Sequence, residues 1–140
     1  MLILGEMDFS FALDIASNIG GDHIIATAYY PEDGPQAMTR RTRSNIEMFK
    51  KLGGRGVAFR VDATRLSETL DFVGSMKFDK ILFGFPRSAS HPDSVKHNIE
   101  FMQMVFRSVA PFLSHRGQFQ LFLHIKLSQS ALSLSISICF

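Results

Sequence analysis

The sequence predicts one α/β domain with a mainly parallel sheet that is covered by helices on both faces. Three observations lead to this prediction. Short apolar segments alternate with amphipathic ones, the connections between them are short, and 140 residues suffice for one substantial core but not for two. Ligands of such sheets bind beyond the carboxyl ends of the strands, so those ends are the expected location of a site.

The first half of the chain contains two predicted strand and helix pairs. Residues 2–4 are an apolar run that stops at a glycine, and residues 9–19 repeat apolar side chains at helical spacing as far as a double glycine. Residues 23–29 are β-rich and mostly apolar, as expected of a strand buried on both faces. A loop with two prolines then leads to a helix over residues 36–52, which has one apolar stripe among basic side chains.

The second half continues the alternation. Residues 57–61 form a third predicted strand that ends at an aspartate, and residues 64–74 form a short helix. Residues 80–85 form a fourth strand that ends at a proline. Residues 93–113 repeat apolar side chains at helical spacing over several turns, and residues 117–123 form a fifth strand.

The last residues differ from the rest. They alternate serine with apolar side chains, a period of two that favours a strand, but they lack the charges and turn signals found elsewhere. Three interpretations stay open: a strand at the sheet edge, a disordered end, or a segment from another reading frame. We therefore separate a domain of residues 1–126 from an atypical tail of residues 127–140. An exposed strand of this composition would favour aggregation.

Composition excludes several classes of function. A net charge of +2 is too small by itself to indicate a nucleic-acid partner, and no apolar run is long enough to span a membrane. The N-terminus lacks the features of a signal peptide, and the single Cys139 excludes an internal disulfide and suits a reducing compartment. The five histidines lack metal-ligand spacing, so no metal site is predicted. Ser10 lacks a nucleophile elbow, which argues against a hydrolase.

Polar residues follow the predicted strands. They fall within residues 5–8, 30–33, 62 and 85–87. The carboxylates of Glu32 and Asp33 are placed to hold a ribose diol, and Asp62 is placed to contact an adenine amino group. The alternatives are a solvated loop for the first two and a turn former for Asp62, while Asp8 is equally suited to cap the first helix. The pattern favours an adenosine-containing cofactor.

Several motifs resemble one eukaryotic family. Gly5-Glu6-Met7-Asp8-Phe9-Ser10-Phe11 resembles the Gly-Glu-Gly-Asp-Phe-Ser-Phe signature of a Rossmann-like family that includes the large-subunit rRNA uridine-N(3)-methyltransferases, which use S-adenosylmethionine (SAM). The resemblance continues in order over about residues 2 to 124. Its further motifs are Ala26-Thr27-Ala28-Tyr29, Asn45 with Leu52-Gly53, Val61-Asp62-Ala63-Thr64, Phe83-Gly84-Phe85-Pro86 and residues 98–106.

The resemblance implies a fold, a reaction and a site. It implies a Rossmann-like, doubly wound domain of the SAM-methyltransferase type that methylates RNA, at uridine N(3) of rRNA. It also implies rRNA or a pre-ribosome as partner and a nucleolar or nuclear location, with the cytoplasm as an alternative, and gives no oligomeric state. The implied cofactor-binding residues are Gly5, Glu6, Met7, Asp8, Phe9 and Ser10, then Glu32 or Asp33 for the ribose and Asp62 with Ala63 for the adenine. Phe85, Pro86 and Arg87 would line the target side.

The chain also departs from the family pattern. Met7 replaces a glycine that would allow a positive φ and a close approach of the cofactor, Gly84 replaces an asparagine, and Arg87 replaces a histidine. After Lys126 the family's Pro, Tyr and Trp are missing. Two alternatives follow: a non-catalytic relative that serves as a binding module, or the incomplete product of a methyltransferase gene. The basic side chains of the second helix are interpreted as a solvated face or as contacts to RNA phosphates.

Overall fold

The predicted alternation of strands and helices is confirmed. The computed structural model describes residues 1–70, 73–86, 90–91, 93–127 and 130–139. In these residues the elements are β1 (Leu2–Leu4), α1 (Ser10–Ile19), β2 (Ile25–Thr27), α2 (Arg40–Lys51), β3 (Gly56–Ala58), α3 (Leu66–Thr69), β4 (Phe78–Gly84), α4 (Val95–Val109), β5 (Leu113–Leu127) and β6 (Ser130–Cys139). The chain divides into two compact units, residues 1–62 and residues 63–140.

The first unit contains three parallel strands in the order β3-β2-β1. Leu2 pairs with Ile25, which in turn pairs with Gly56. All three residues of β1 and of β2 are buried, which explains their near-continuous apolar sequence. The buried hydroxyl of Thr27 donates to the carbonyl oxygen of Ile3 at 3.0 Å, so burying this polar group leaves no donor unpaired.

Two helices complete the first unit. Helix α1 buries a stripe of small side chains, Ala12 and Ala16. Helix α2 buries Thr42 and Phe49 and begins at Thr39, whose hydroxyl accepts the N–H of Thr42 at 3.1 Å. The predicted start of this helix at residue 36 was therefore four residues too early, because the side chain that can cap it lies at position 39.

The second unit pairs β4 with β5 in parallel and β5 with β6 in antiparallel orientation. Helix α4 buries Val105 and Val109, and Phe106 packs edge-to-face on Phe119 of β5 with ring centroids 5.6 Å apart. The start of α3 is fixed by the backbone N–H of Leu66, which donates to the Ser108 hydroxyl at 2.8 Å.

The second unit differs from the sequence prediction in three places. Helix α3 covers four residues, not the predicted 64–74, and residues 71 and 72 lie outside the described part of the chain. Strand β5 starts at Leu113 and is 15 residues long, because residues 130–139 form β6 along it. Of the interpretations offered for the tail, the structure shows the strand. The apolar repeat over residues 93–113 predicts a buried stripe, but at the start of α4 Val95 and Ile99 are 74% and 54% exposed, so the stripe is not buried there.

No helix in the described part of the chain has the length and apolar character needed to cross a membrane.

Candidate functional site in the loop between β1 and α1

The loop between β1 and α1 is fixed by two residues with positive φ. They are Gly5, with φ 72°, and Phe9, with φ 60°, which is the N-cap of α1. Met7, which stands where the family has a glycine, is not among the described residues with positive φ, so the backbone here does not use the conformational freedom that a glycine would allow. Its side chain is 70% exposed, so methionine is accommodated here without backbone strain.

Glu6 is the most deeply buried carboxyl group of this loop, at 6% exposure. Its backbone N–H donates to the carbonyl oxygen of Thr27 at 2.8 Å, which extends the β1–β2 pairing by one step. Burial raises the pKa of Glu6 to about 7, and the nearby Asp8 charge adds to this. The backbone N–H groups of Ala12 and Phe11 donate to the carboxylate and partly oppose the rise in pKa.

Asp8 is held from three sides. Its Oδ1 accepts the backbone N–H of Ser10 at 3.1 Å and the Ser10 hydroxyl at 2.6 Å, while its Oδ2 lies 2.7 Å from Arg41 Nε. The Asn45 side-chain amide donates to the Asp8 carbonyl oxygen at 2.8 Å. Burial raises the pKa of Asp8, but the Ser10 donors and the Arg41 charge outweigh burial and lower that pKa below its ordinary value.

These contacts determine which kind of ligand group the loop can bind. The first N–H groups of a helix usually attract phosphate, as in dinucleotide-binding folds. Here the N–H groups of Ser10, Phe11 and Ala12 already donate to the carboxylates of Asp8 and Glu6. The loop therefore offers carboxylate oxygens where a phosphate site needs free donors. Such acceptor oxygens suit the ammonium and sulfonium groups of SAM, whereas a pyrophosphate would need the donors that are already used.

An aromatic cluster supports the loop. Phe59 packs edge-to-face on Phe9, with centroids 5.6 Å apart, and lies 5.8 Å from the ring of Tyr30. The Tyr30 hydroxyl donates to the carbonyl oxygen of Met7 at 2.6 Å. Burial, together with the Glu6 and Asp8 charges, raises the pKa of Tyr30 to about 12, so this hydroxyl stays protonated and remains a donor.

The carboxylates predicted for the ribose lie on an exposed turn. Glu32 and Asp33 are both exposed, and the turn is closed by the Gly34 N–H, which donates to the Pro31 carbonyl oxygen at 3.0 Å. Asp33 Oδ1 lies 3.4 Å from Arg60 Nη2, which links the loops after β2 and β3.

Asp62, predicted to contact adenine, is half-buried. It follows Val61, whose N–H donates to the carbonyl oxygen of Ala28 at 3.0 Å. The next residue, Ala63, is 8% exposed and begins the second unit. Asp62 therefore follows a residue whose backbone is hydrogen-bonded to Ala28, the first residue after β2.

The residues predicted for the target side belong to the second unit. Phe85 is 54% exposed with φ 51°, and its N–H donates to the Phe122 carbonyl oxygen at 2.7 Å. Pro86 is half-buried, and Arg87 lies outside the described residues. Among the described residues, no atom lies within 4 Å of a Cβ built at Gly84, so this position has room for a side chain to begin.

Sequence reasoning missed several contributors to the site. Phe59 carried no signal, and Tyr30 was included only as part of the strand end at residues 30–33, because the roles of both rings depend on packing between loops that are far apart in sequence. Arg41 appeared only as one of several cations on a helix face. Asn45 could have been found, since the family resemblance already singled it out.

Among the described residues, no three His, Cys, Asp or Glu side chains lie close enough together to hold a metal ion.

Comparison with known proteins identifies the family. The family model described as rRNA (uridine-N3-)-methyltransferase, BMT5-like, matches residues 2–134. The chain belongs to this family. The match includes the loop between β1 and α1 and confirms the resemblance seen in the sequence. Among curated proteins, no significant sequence match is found.

Two solved structures share the fold of this family member. A chain of the fibrillarin/Nop5p complex matches with a TM-score of 0.54 at 15% identity, over 88% of this chain and 48% of that chain. NSun6 from Pyrococcus horikoshii with SFG matches with a TM-score of 0.56 at 19% identity, over 87% of this chain and 32% of that chain. Both confirm the predicted α/β, Rossmann-like fold class, and this chain spans less than half of either.

Proposed function

We propose that this chain is a SAM-dependent RNA methyltransferase that acts on uridine N3 of rRNA. The observation that supports the cofactor best is the pair of carboxylates, Glu6 and Asp8, that accept the first N–H groups of α1. They give the loop acceptor oxygens for a cationic cofactor such as a sulfonium compound, and they occupy the donors that a phosphate would need. Family membership supports the uridine substrate.

The cofactor, when bound, supplies an electrophilic methyl group for the ring nitrogen. The residues of the chain must then hold the reactants and exclude water. Glu6 and Asp8 would face the methionine end, together with Gly5, Met7, Phe9 and Ser10. Asp62 with Ala63 would hold the adenine, and either Glu32 or Asp33 the ribose.

The target side needs little acid or base strength. Uridine N3–H is weakly acidic, in the range of a tyrosine hydroxyl, so positioning and a local acceptor suffice. Phe85 and Pro86 would line this side, together with Arg87. With glycine at position 84, only backbone groups there can accept the N3 proton or orient the base.

The proposed substrate also suggests a cellular location and a partner. An enzyme of rRNA would meet its substrate in the nucleus or nucleolus, with rRNA or a pre-ribosome as its partner. The second candidate function is a non-catalytic binding module of the same fold, which is favoured by Gly84 because the family's asparagine side chain is missing there.

The decisive experiment is a calorimetric titration of the full chain with SAM, S-adenosylhomocysteine and NAD. We expect saturable binding of the first two, loss of binding in Asp62→Ala, and no binding of the dinucleotide. A folded chain that does not bind SAM would overturn the proposal, whether or not it binds NAD.

Gly84→Asn separates the two candidate functions. Because the space around Gly84 is open, this variant should fold as well as the wild type. If the chain is an enzyme, methylation of rRNA fragments should be detectable in the wild type, whereas methylation by the variant alone would favour the binding module. SAM binding with no methylation by either protein would favour the binding module.

A further inference from the structure

Helix α2 has an unusual distribution of charge. Five of its 12 residues are basic, namely Arg40, Arg41, Arg43, Lys50 and Lys51, and one is acidic. The acidic residue, Glu47, lies 2.8 Å from Lys51 one turn further along the helix. The remaining cations are therefore not balanced by acidic residues of the same helix.

The three arginines lie where a helix gains nothing from positive charge. The N-terminal end of a helix carries a partial positive charge, so acidic residues stabilise it and basic residues do not. The first turn of α2 contains no acidic residue, whereas Lys50 and Lys51 occupy the favourable last turn. A solvated helix face accounts for the two lysines and Asp8 accounts for Arg41, but neither explains the positions of Arg40 and Arg43.

The contacts of these arginines leave most of their donors available. Arg41 uses Nε for Asp8, and Arg43 donates through Nη2 to the thioether of Met38 at 2.9 Å, a weak acceptor. Within the described part of the chain, Arg40 has no side-chain hydrogen bond or ion pair. All three side chains are exposed.

We propose that Arg40, Arg41 and Arg43 form a docking surface for the phosphate backbone of the substrate RNA. This inference rests on the proposed function. It places the RNA contact beside the loop between β1 and α1, residues 5–9, which we call the cofactor loop because the proposed function assigns it to SAM. The guanidinium group binds phosphate oxygens through two parallel hydrogen bonds, and each neutralised phosphate releases counterions. We refer to these three residues as the arginine surface.

Arg41 links the arginine surface to the loop between β1 and α1. Its Nε holds the Asp8 carboxylate, and Asn45, one turn further along α2, holds the Asp8 carbonyl oxygen. Because Nε is the donor used, both Nη groups of Arg41 stay available for a phosphate. A strand bound there contacts the same helix that positions the cofactor loop, so RNA affinity and cofactor affinity should be coupled reciprocally.

The test compares two double variants of equal charge change. In Arg40→Gln/Arg43→Gln two charges of the arginine surface are removed, with Arg41 left intact. In Lys50→Gln/Lys51→Gln two charges are removed from the other end of α2, about 15 Å away along the helix axis. The binding probe is a fluorescein-labelled single-stranded RNA of about 20 nucleotides that contains uridines. Its anisotropy is measured against the full chain over a range of salt concentrations.

We expect the arginine variant to lower RNA affinity about tenfold and to reduce the slope of log K against log salt by about 1.4, or 0.7 for each lost contact. The lysine variant should keep the wild-type affinity and slope. Equal losses in both variants, no loss in the arginine variant, or no RNA binding by the wild type would overturn the proposal. Thermal melting checks that both variants fold.

SAM titration of the same two variants keeps this proposal distinct from the proposed function. We expect wild-type SAM affinity in both, because neither removes a residue of the cofactor loop. If the wild type binds RNA through the arginine surface but does not bind SAM, the surface stands and the enzyme proposal fails. If SAM binds and the arginine variant keeps full RNA affinity, the arginine surface is refuted and the enzyme proposal stands.

Discussion

The buried carboxyl group of Glu6 should make the stability of the chain depend on pH near neutrality. Its pKa is 4.5 before burial and about 7 in the folded chain. The folded state therefore holds this proton more tightly than the unfolded state, and the free energy of unfolding falls as pH rises from about 4.5 to about 7. At 1.36 kcal/mol per pH unit, the full loss is about 3 kcal/mol.

Substitution of Glu6 by glutamine isolates this effect. An amide mimics the protonated carboxyl group and does not titrate, so Glu6→Gln should lose none of this stability above pH 5. The assay is urea unfolding of both proteins at several pH values between 5 and 8, followed by circular dichroism. The stability of the variant relative to wild type should rise by about 2 to 3 kcal/mol across this range, mostly below pH 7.

The matched control is Asp14→Asn, which changes an exposed carboxylate on the same helix. Its stability difference from wild type should be constant with pH. If the Glu6→Gln difference were also flat from pH 5 to pH 8, the burial argument would be refuted, and with it the description of Glu6 as a carboxyl group stripped of water.

The same carboxyl group should report on the cofactor. About three-quarters of Glu6 is protonated at pH 6.5, given a pKa of about 7. A cationic ligand near it favours the ionised form, so SAM binding should release protons, up to about that fraction. Calorimetry in two buffers with different ionisation enthalpies measures this release. Glu6→Gln should abolish it, and an unchanged release in the variant would place the titrating group elsewhere.

Three further substitutions test the packing and the hydrogen bonds of the first unit. Gly54→Ala should cost about 1 to 3 kcal/mol in urea unfolding, since its Cβ would lie 2.3 Å from the Phe49 ring; an unchanged midpoint would contradict this contact. Tyr30→Phe removes the donor to the Met7 carbonyl oxygen and should cost about 1 kcal/mol, and a stabilised variant would be unexpected. Asn45→Ala removes one of the two contacts, with Arg41 as the other, that hold Asp8 to α2, and it should weaken SAM binding several-fold in calorimetry; full SAM affinity would exclude a positioning role.

Much of the fold could be predicted because its signals are local. Segments such as residues 2–4 and 9–19 show their period and stop signals within one window, and β1 and α1 match them closely. Prediction failed where tertiary contacts decide. Strand β5 is extended by its pairing with β6, and α3 is limited to four residues, starting where Leu66 donates to Ser108.

The candidate site was predictable in position but not in its contacts. The turn after β1 is visible in the sequence as a glycine followed by two acidic residues. That Asp8 is tied to Arg41 and Asn45, more than 30 positions later, follows only from the packing of α2 beside α1. That Glu6 is buried and Asp8 half-buried could not be read from two acidic residues that lie two positions apart.

Met7 illustrates how a family signature can drift without a change of fold. Its carbonyl oxygen is fixed by Tyr30, its φ is ordinary, and its side chain extends into solvent. Folding therefore hardly constrains the side chain at this position. Evolution can vary the side chain here as a means of tuning specificity, and a laboratory library confined to this one position should yield folded proteins throughout.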